Sequence, residues 1–511
     1  MSPARRDETE RTYDVAGATL LPPLAGVHPV TRVGQPVEQS LEAVYFDTAG
    51  LDLTRHGATL RRRTGGEDAG WHLKLPREGD TRTELHEPLG PATRAVPEAL
   101  LLPVRAQVRD RDLLPIARVT TRRLEYALVG DDGEVLAHLC DDRVRAERVH
   151  GGPAASEWRE WEVELADAGD IEVLDAVEEA LSSAGAARST STSKLVRALG
   201  DMAPQARSGP SRKDLERGSI MQVVVAHLDE QLDRLHQQDA RLRAGRPGSV
   251  HKLRIAARRL RSALKTYGPL MGPEPASAVA EELRWLGGSL SDARDAQVLR
   301  EHLLQLVETQ PVELVLGPVV TRIDDELRTA EREGMEQAIQ ALESERYFRL
   351  LDALDELLEP GVFTSDAESP AREVLPRLLR RDAKRLRRRV RAVARAAPGH
   401  ERDVALHEAR KKAKRLRYAA ESAVPVLGKR ARRLAASVKR VQQALGAHQD
   451  TVMTRQVLRE YGVRAYLGGE NGFTFGRLHA LEEARSEVAR RDFEAAWRAV
   501  PGKDLARWVV R

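Results

Sequence analysis

Val250–Tyr267, VHKLRIAARRLRSALKTY, and Leu406–Glu421, LHEARKKAKRLRYAAE, superpose at a constant offset that sets His251 on His407, Arg254 on Arg410, Arg258 on Lys414, Arg259 on Arg415 and Arg261 on Arg417. On a helix that advances about 100° per residue, His251, Arg254, Arg258, Arg261 and Lys265 share one arc. Leu253, Ala257, Leu260 and Leu264 occupy another. His407, Arg410, Lys414 and Arg417, set against Ala409, Ala413, Leu416 and Ala420, repeat that geometry. Each helix therefore has a packing face and a cationic face. A merely solvated face mixes signs for i,i+4 support. The first stripe has no carboxylate and the second only Glu408, so both read as polyanion-binding surfaces.

The repeat continues beyond these helices. Trp285–Leu290, ending in Arg294-Asp295, corresponds to Arg440–Gly446, ending in Gln449-Asp450; His251 to Asp295 is 44 positions and His407 to Asp450 is 43. Such spacing argues for a duplication and for a pseudo-twofold arrangement that sets two cationic helices around one site. Asp295 and Asp450 are placed either to pair with basic side chains or to cap helices. Helical periodicity predicts helices at about 213–244, 248–268, 275–308, 311–333, 335–359, 370–396, 402–424, 429–461 and 475–498, with Gly and Pro at the joints. Short connections of this kind favour antiparallel bundles. The run Arg377–Arg395 puts arginines on nearly every helix face, so part of it is solvated or lies along an extended polyanion. His251 and His407 invite a metal reading, but an arginine one turn away would repel a dication.

The motifs VHxxRxxxRRLR and LHxxRKxxKRLRY, each followed by its turn and aspartate, resemble the CHAD domain over about residues 214–500. The resemblance implies an all-α domain of two repeated four-helix units with a basic central cavity that binds inorganic polyphosphate. The implied contacts are His251, Arg254, Arg258, Arg259, Arg261, Lys265, His407, Arg410, Lys411, Lys414, Arg415 and Arg417, with Lys384 and Arg388 from the basic run.

Composition supports an anion partner that lacks bases. Residues 1–200 carry 25 Lys and Arg against 34 Asp and Glu, a net of −9, and the remainder carries 57 against 44, a net of +13. Aromatic residues are 4% of the chain and charged residues 31%, a poor supply for a base-stacking platform. Cys140 is the single cysteine, which excludes an intramolecular disulfide and a cysteine metal cluster and is consistent with a cytoplasmic location, where polyphosphate granules are a candidate site. No run approaches the roughly 18 apolar residues of a membrane span, so a soluble protein is expected.

The first two hundred residues read differently, as short strands with helices between. Glu8–Tyr13, Ala43–Thr48, Thr59–Arg63 with Trp71–Leu75, Arg118–Val129 with Glu134–Cys140, and Glu160–Leu165 make an antiparallel α+β or barrel pattern rather than βαβ alternation. Strand side chains alternate faces. Glu8 and Glu10 therefore share a face, as do Arg61 with Arg63 and Glu162 with Glu164, while Trp161, Val163 and Leu165 point the other way into a core. Carboxylates without His or Cys partners suit hard Mg²⁺ or Mn²⁺, and guanidinium and ammonium groups suit phosphate oxygens.

The ordered set Glu8-Thr9-Glu10-Arg11, Tyr45–Thr48, Leu60–Arg63, Lys74, Arg82-Thr83-Glu84, Arg123, the Asp141 region, Glu162-Val163-Glu164 and Ser191–Lys194 resembles the CYTH domain of the triphosphate tunnel metalloenzymes, over about residues 5–200. The resemblance implies an eight-stranded antiparallel β tunnel. It implies metal ligands at Glu8, Glu10, Glu162 and Glu164, a Mg²⁺ or Mn²⁺ cofactor, and triphosphate contacts at Arg61, Arg63, Lys74, Arg123 and Lys194. If the domain is catalytic, the implied activity is metal-dependent inorganic triphosphatase. The family signature runs Glu-x-Glu-x-Lys, and Thr12 stands at its lysine, which removes a phosphate contact or an aid to water activation; no catalytic residue is assigned.

The organisation expected is a CYTH domain at 1–200, a linker at 201–213 rich in Gly, Pro, Ser and Ala, and a CHAD domain at 214–511. The function expected is polyphosphate binding by the helical half, with a triphosphate or chain end held, and open to hydrolysis, in the tunnel. The alternative is a nucleic-acid-binding protein that uses the same basic helices, with the tunnel as a non-catalytic phosphate-binding module.

Overall fold

A computed structural model describes residues 3–77, 79–90, 95–149, 155–204 and 209–500. The chain forms two compact units, Met1–Ser208 and Gly209–Arg511. Of the expected linker, residues 205–208 lie outside the described residues.

The first unit is built on eight strands, β1 Ala4–Val15, β2 Val37–Asp47, β3 Thr59–Thr64, β4 Gly70–Lys74, β5 Thr81–Pro88, β6 Leu114–Val129, β7 Val135–Arg148 and β8 Ala155–Leu165. They pair antiparallel in the order β1-β5-β4-β3-β2-β6-β7-β8, and β8 closes on β1 with Glu10 opposite Glu164 and Thr12 opposite Glu162. The expected eight-stranded antiparallel tunnel is thus the observed one. β5 was not evident as a strand because both faces of Thr81–Pro88 are largely polar.

Two layers of the core lie outside this barrel and one lies on the inner side of its wall. Tyr13, Leu139, Trp161 and Val163 turn outward from the wall and bury against Val173, Val177 and Leu181 of helix α1, Ile171–Ser183. A second apolar layer joins Ala43, Val119 and Val144 to Leu195 and Leu199 of helix α2, Lys194–Leu199. A third joins Phe46, Leu60, Trp71 and Leu73 to Leu53, Leu100 and Val108. Plating much of the wall from outside supplies hydrophobic stabilisation and leaves inward positions of β1, β3, β4, β5 and β8 for charge, while Leu41, Ala43, Tyr45 and Val119 keep part of the inner face of β2 and β6 apolar.

The second unit is helical. Its main helices are α3 Ile220–Arg243, α4 Ser249–Tyr267, α5 Pro273–Ser289, α6 Ser291–Glu308, α7 Val319–Glu343, α8 Glu345–Glu356, α9 Ala371–Val393, α10 His400–Ser422, α11 Lys429–Leu467 and α12 Phe473–Arg498. The duplication is visible in their order. α3, α4, the pair α5–α6 and α7 correspond to α9, α10, α11 and α12. The stretch that bends at Leu290 in the first copy is one continuous helix of 39 residues in the second. The copies interlock: Leu303, Ile323, Leu458 and Phe475 of α6, α7, α11 and α12 share one core.

Two helix joints fall elsewhere than expected, and the first is at Leu290, which divides the helix expected over 275–308 into α5 and α6. The break placed near Gly334 is instead at Ser344, whose hydroxyl accepts from the Tyr347 amide to cap α8. Gly334 is inside α7, where a Cβ would come within 2.3 Å of the Ala293 nitrogen; it is a close-approach residue against α6. Among the described residues no helix is long and apolar enough to cross a membrane.

Candidate functional site

Strand side chains alternate inward, and the space of about 320 Å³ is lined mostly by charged side chains, with Leu41, Ala43, Tyr45 and Val119 and several Ser and Thr hydroxyls among them. β1 contributes Glu8, Glu10 and Thr12; β3 contributes Arg61 and Arg63; β4 and β5 contribute His72, Lys74, Arg82, Glu84 and His86; β6 contributes Arg123, β8 Glu160, Glu162 and Glu164, and α2 Lys194. All nine tunnel residues expected from the sequence therefore face one cavity.

Their partners divide the lining into two nests. In the first, Lys74 Nζ donates to Glu8 Oε2 at 2.6 Å, and Arg77 Nη2 donates to Glu10 Oε1 at 2.6 Å, with Arg82 on the same Glu10 oxygen. Burial opposes ionisation of Glu10, but Lys74, Arg82 and Arg77 outweigh it and hold the carboxyl below its ordinary value. Burial, together with a hydrogen bond to Glu84, pushes Glu8 up to about 7 in spite of Lys74. Burial works against the charge of Glu84, but Lys74 and the hydrogen bonds from His72 and Glu8 hold its carboxyl well below the ordinary value. On β3, burial and then Arg61 lower Arg63 to about 9. Arg63 pairs with Asp68, and Arg61 lies 3.8 Å from Glu84.

The second nest surrounds Lys194, whose Nζ lies 2.6 Å from Glu160, 2.6 Å from Glu162 and 3.0 Å from Asp142. Arg123 donates to both oxygens of Asp142, at 2.8 and 2.7 Å, and to Glu162 at 2.7 Å. Burial works against Lys194's charge, but Glu160, Glu162 and Asp142 raise its pKa well above the lysine value. Oxygens of Asp142, Glu160 and Glu162 lie within 4.8 Å of one another. Three convergent carboxylates are the hard-donor set of Mg²⁺ or Mn²⁺, so the residues fit a divalent ion, and the ammonium of Lys194 sits where such a charge is wanted.

This grouping differs from the set expected from sequence. Of Glu8, Glu10, Glu162 and Glu164, only Glu162 belongs to the three carboxylates that come together; Glu8 and Glu10 are held by Lys74, Arg77 and Arg82, and burial raises the pKa of Glu164. Asp142 and Glu160 had not been singled out. Glu160 extends the Glu-x-Glu period by one step, a signal open to sequence reading, whereas Asp142 enters only through its register opposite Glu160 and Arg123.

In the helical unit α4 packs directly on α10. Some basic residues of the repeat hold that contact together. Arg259 Nη2 donates to Glu421 at 3.0 Å, Arg415 Nε to Asp382 at 2.9 Å, and Arg417 to Glu421 and Gln442 at 2.7 Å each. Lys411 pairs with Glu408 on its own helix. Arg259, Arg415 and Arg417 are scaffold as much as surface, and Lys411 stays on the surface.

Others are left with charge to spare. Arg254 Nη1 donates to Asp295 at 2.8 Å, which makes this aspartate an ion-pair partner within α6 rather than a cap. Arg258 donates to the Tyr418 hydroxyl at 3.2 Å, and Arg410 Nε is buried without a partner. Burial lowers Lys414 to about 7, assisted by Arg410, Arg258 and Arg254, with Asp450 opposing. Burial raises Asp450 despite Arg410 and Lys414. Four cations from both copies of the repeat therefore crowd against two aspartates. His251 feels the same field: burial, Arg294, Arg258 and Arg254 lower it, while His407 Nδ1 is 2.6 Å from Gln449 Oε1. Arg261 and Lys265 continue the stripe beside Arg284. From α9, Lys384 and Arg388 are exposed, and it is Arg385 and Arg389 whose charge reaches Lys412 of α10.

A family model of the CYTH domain matches residues 23–199, and one of the CHAD domain matches residues 226–459. The chain is 38% identical over 510 residues to the uncharacterized protein Rv2226 of Mycobacterium tuberculosis (strain H37Rv), an alignment that spans 97% of this chain and 96% of that protein. Among solved structures, PptA from Streptomyces chartreusis is 22% identical with a TM-score of 0.47, covering 55% of this chain and 99% of its own. The CHAD domain from the plant Ricinus communis is 22% identical with a TM-score of 0.44, covering 56% and 93%.

Proposed function

We propose, from the premise that this chain belongs to the family in which a CYTH domain precedes a CHAD domain, that it is an inorganic polyphosphate-binding protein. The two domains fit a role with triphosphate or polyphosphate. The observation that carries the specific reading is the crowding of Arg254, Arg258, Arg410 and Lys414 from both repeat copies, with Asp295 and Asp450 as the counter-charges. Such a cluster gains most from a ligand whose charges are as closely spaced as its own.

Titration of the protein with long-chain polyphosphate tests this. Affinity is expected to fall steeply with salt, by analogy with DNA, where six to ten phosphate contacts lose about 10³–10⁵ between 50 and 200 mM. Absent or salt-insensitive binding would overturn the reading. RNA at equal phosphate concentration is expected to compete poorly, and preferential RNA retention would favour a nucleic-acid partner instead.

Lys414 gives the site a pH dependence. Its pKa in the fold is lowered to about 7, so the amine is charged at pH 6 and neutral at pH 8.5. A bound polyanion restores the charge, and binding above pH 7 must take up a proton. Affinity for polyphosphate is therefore expected to drop several-fold from pH 6 to pH 8.5, and Lys414→Arg to flatten the profile.

In the tunnel the reading is a triphosphate or chain end bound with divalent metal. Asp142, Glu160 and Glu162 would hold the ion, which when bound supplies Lewis-acid polarisation of a phosphoryl oxygen. Arg61, Arg63 and Lys74 are placed to receive phosphate oxygens, and Lys194 becomes free to do so once its carboxylates have another cation. Thr12 opposes Glu162 and offers no charge there. Thr12→Lys is expected to raise Mg²⁺- or Mn²⁺-dependent phosphate release from tripolyphosphate at least about tenfold over the wild-type rate, and Glu8→Ala to lower it. Equal rates in wild type and Thr12→Lys would show that residue 12 does not limit phosphate release.

A further inference from the structure

The duplication supplies its own control for charge. With Asp295 set on Asp450, the N-terminal part of α11 falls on α5, so that Lys429 meets Glu274, Ala436 meets Glu281, Ser437 meets Glu282 and Lys439 meets Arg284. Over the matched stretches, residues 273–289 carry three carboxylates and one arginine, a net of −2, and residues 428–444 carry six cations and no carboxylate, a net of +6. The carboxylates of α5 are in use: Glu281 pairs with Arg284 at 2.7 Å and Glu282 with Arg346 at 2.6 Å. On α11, Lys429, Arg430, Arg432, Arg433, Lys439 and Arg440 are exposed, and none of them forms a hydrogen bond or ion pair among the described residues.

Two equivalent helices thus differ by eight charges, so the fold does not require the cations. Helix stability does not require them either. The positive end of a helix dipole is its N-terminus, where anions stabilise and cations do not; α5 opens there on Glu274, whereas α11 has no acidic residue in its first turn. Charge that serves neither the fold nor its own helix points to a ligand, and its position says which one. At about 100° per residue, Arg432, Lys439, Gln443, Gly446 and Asp450 lie within an arc of about 60°. Arg410 Nε and Nη2 come within 3.6 Å of where a Cβ on Gly446 would be, and Asp450 faces Arg410 and Lys414. The stripe therefore begins in the crowded cluster and runs toward the start of α11, about 20 Å from Gly446 to Arg433 at 1.5 Å per residue. A long polyphosphate has more charges than the cluster has cations, and the rest of it must leave. Along α5 the way out passes Glu281 and Glu282, and Glu281 already answers Arg261 and Lys265.

On the polyphosphate reading of the α4–α10 cluster, on which this rests, we propose that the N-terminal turns of α11 are an exit track for the bound chain, giving a long polymer one direction out of the cluster. Duplex nucleic acid also suits an exposed cationic helix face, but only a polymer that threads the cluster makes use of a stripe continuous with it. Titration of the full chain, wild type and the triple variant Lys429→Gln, Arg432→Gln, Arg433→Gln, with long-chain polyphosphate and with tripolyphosphate tests the track. The replaced side chains are exposed and unpaired, so the variant keeps its fold. Long-chain affinity is expected to fall at least about tenfold and the salt slope to shrink by about two, at about 0.7 for each lost contact to a single strand, while tripolyphosphate, too short to reach from the cluster to Arg433, stays within about threefold. Unaltered long-chain affinity in the variant beside firm wild-type binding, or equal losses for the two ligands, would overturn the track and leave the cluster standing. Failure of the wild type to bind long chains would overturn both. Duplex DNA held more tightly than polyphosphate at equal phosphate concentration, and released by the variant, would assign the face to nucleic acid and overturn the track.

Discussion

The double charge reversal Arg254→Glu with Arg410→Glu is expected to weaken long-chain polyphosphate binding by at least about 10²-fold while leaving the fold intact. Hydrogen bonds to charged groups contribute about 1.5–3 kcal/mol each, so two such contacts alone give a loss of that order, and reversed charge adds repulsion. Equilibrium titration at fixed salt measures it, and the salt slope should fall in step. The accompanying stability result separates a binding role from a structural one. Arg410 Nε has no partner and Lys414 is held near neutrality by burial and by its arginine neighbours, so these cations repel one another more than they hold anything together. Lys414→Met is therefore expected to raise the melting temperature, by about 2–4 °C for each kcal/mol recovered, as polyphosphate affinity falls. A variant that lost stability and affinity in parallel would show the cluster to be scaffold. Arg259→Ala and Arg415→Ala supply the contrast, because their ion pairs with Glu421 and Asp382 tie α4, α9 and α10 to one another.

What sequence made legible follows from which constraints are local. Strand alternation is local, so the inward placement of Glu8 with Glu10 and of Arg61 with Arg63 was readable from period two alone. The direction of the core was not: Trp161 and Val163 do turn away from the carboxylates, but into a layer under α1 on the outer side of the barrel. Convergence of Asp142 with Glu160 and Glu162 was also beyond reach, since it depends on the register between β7 and β8. In the helical half the repeat declared the α4–α10 pair because two independent copies carry it. The basic run in α9 declared no face, because arginines occupy nearly all of them. There the buried row Leu375, Leu379, Leu386 and Val390 turns inward together with Asp382, which accepts from Arg415 and Thr266, leaving Lys384 and Arg388 outward and Arg385 near Arg415 of α10. Gly334 shows a third kind of failure, in which a residue that usually punctuates a helix was used for close packing instead.

Lys194→Met is expected to have the largest effect in the tunnel, and to make it depend on metal. Removing the ammonium leaves Asp142, Glu160 and Glu162 converging with Arg123 as the main remaining cation, Arg197 lying 3.6 Å from Glu160. Breaking a buried ion pair by deleting one partner costs about 3–5 kcal/mol, so the metal-free variant should melt well below wild type. The carboxyl groups left behind then have pKa values raised above those of the unfolded chain. Their neutral forms favour the fold, so the variant's deficit should be small in acid and grow as pH rises through those values. A divalent cation supplies the missing charge, and by mass action stabilises whichever state binds it. Mn²⁺ or Mg²⁺ is therefore expected to raise the melting temperature of Lys194→Met far more than that of the wild type, in which the ammonium competes for the same oxygens. Equal metal shifts in the two proteins would show that the three carboxylates are a cradle for Lys194 and nothing else. A larger shift in the variant, joined to weaker tripolyphosphate binding, would show that one lysine does two things in turn: it neutralises the carboxylates while the tunnel is empty, and it meets phosphate when a metal takes its place.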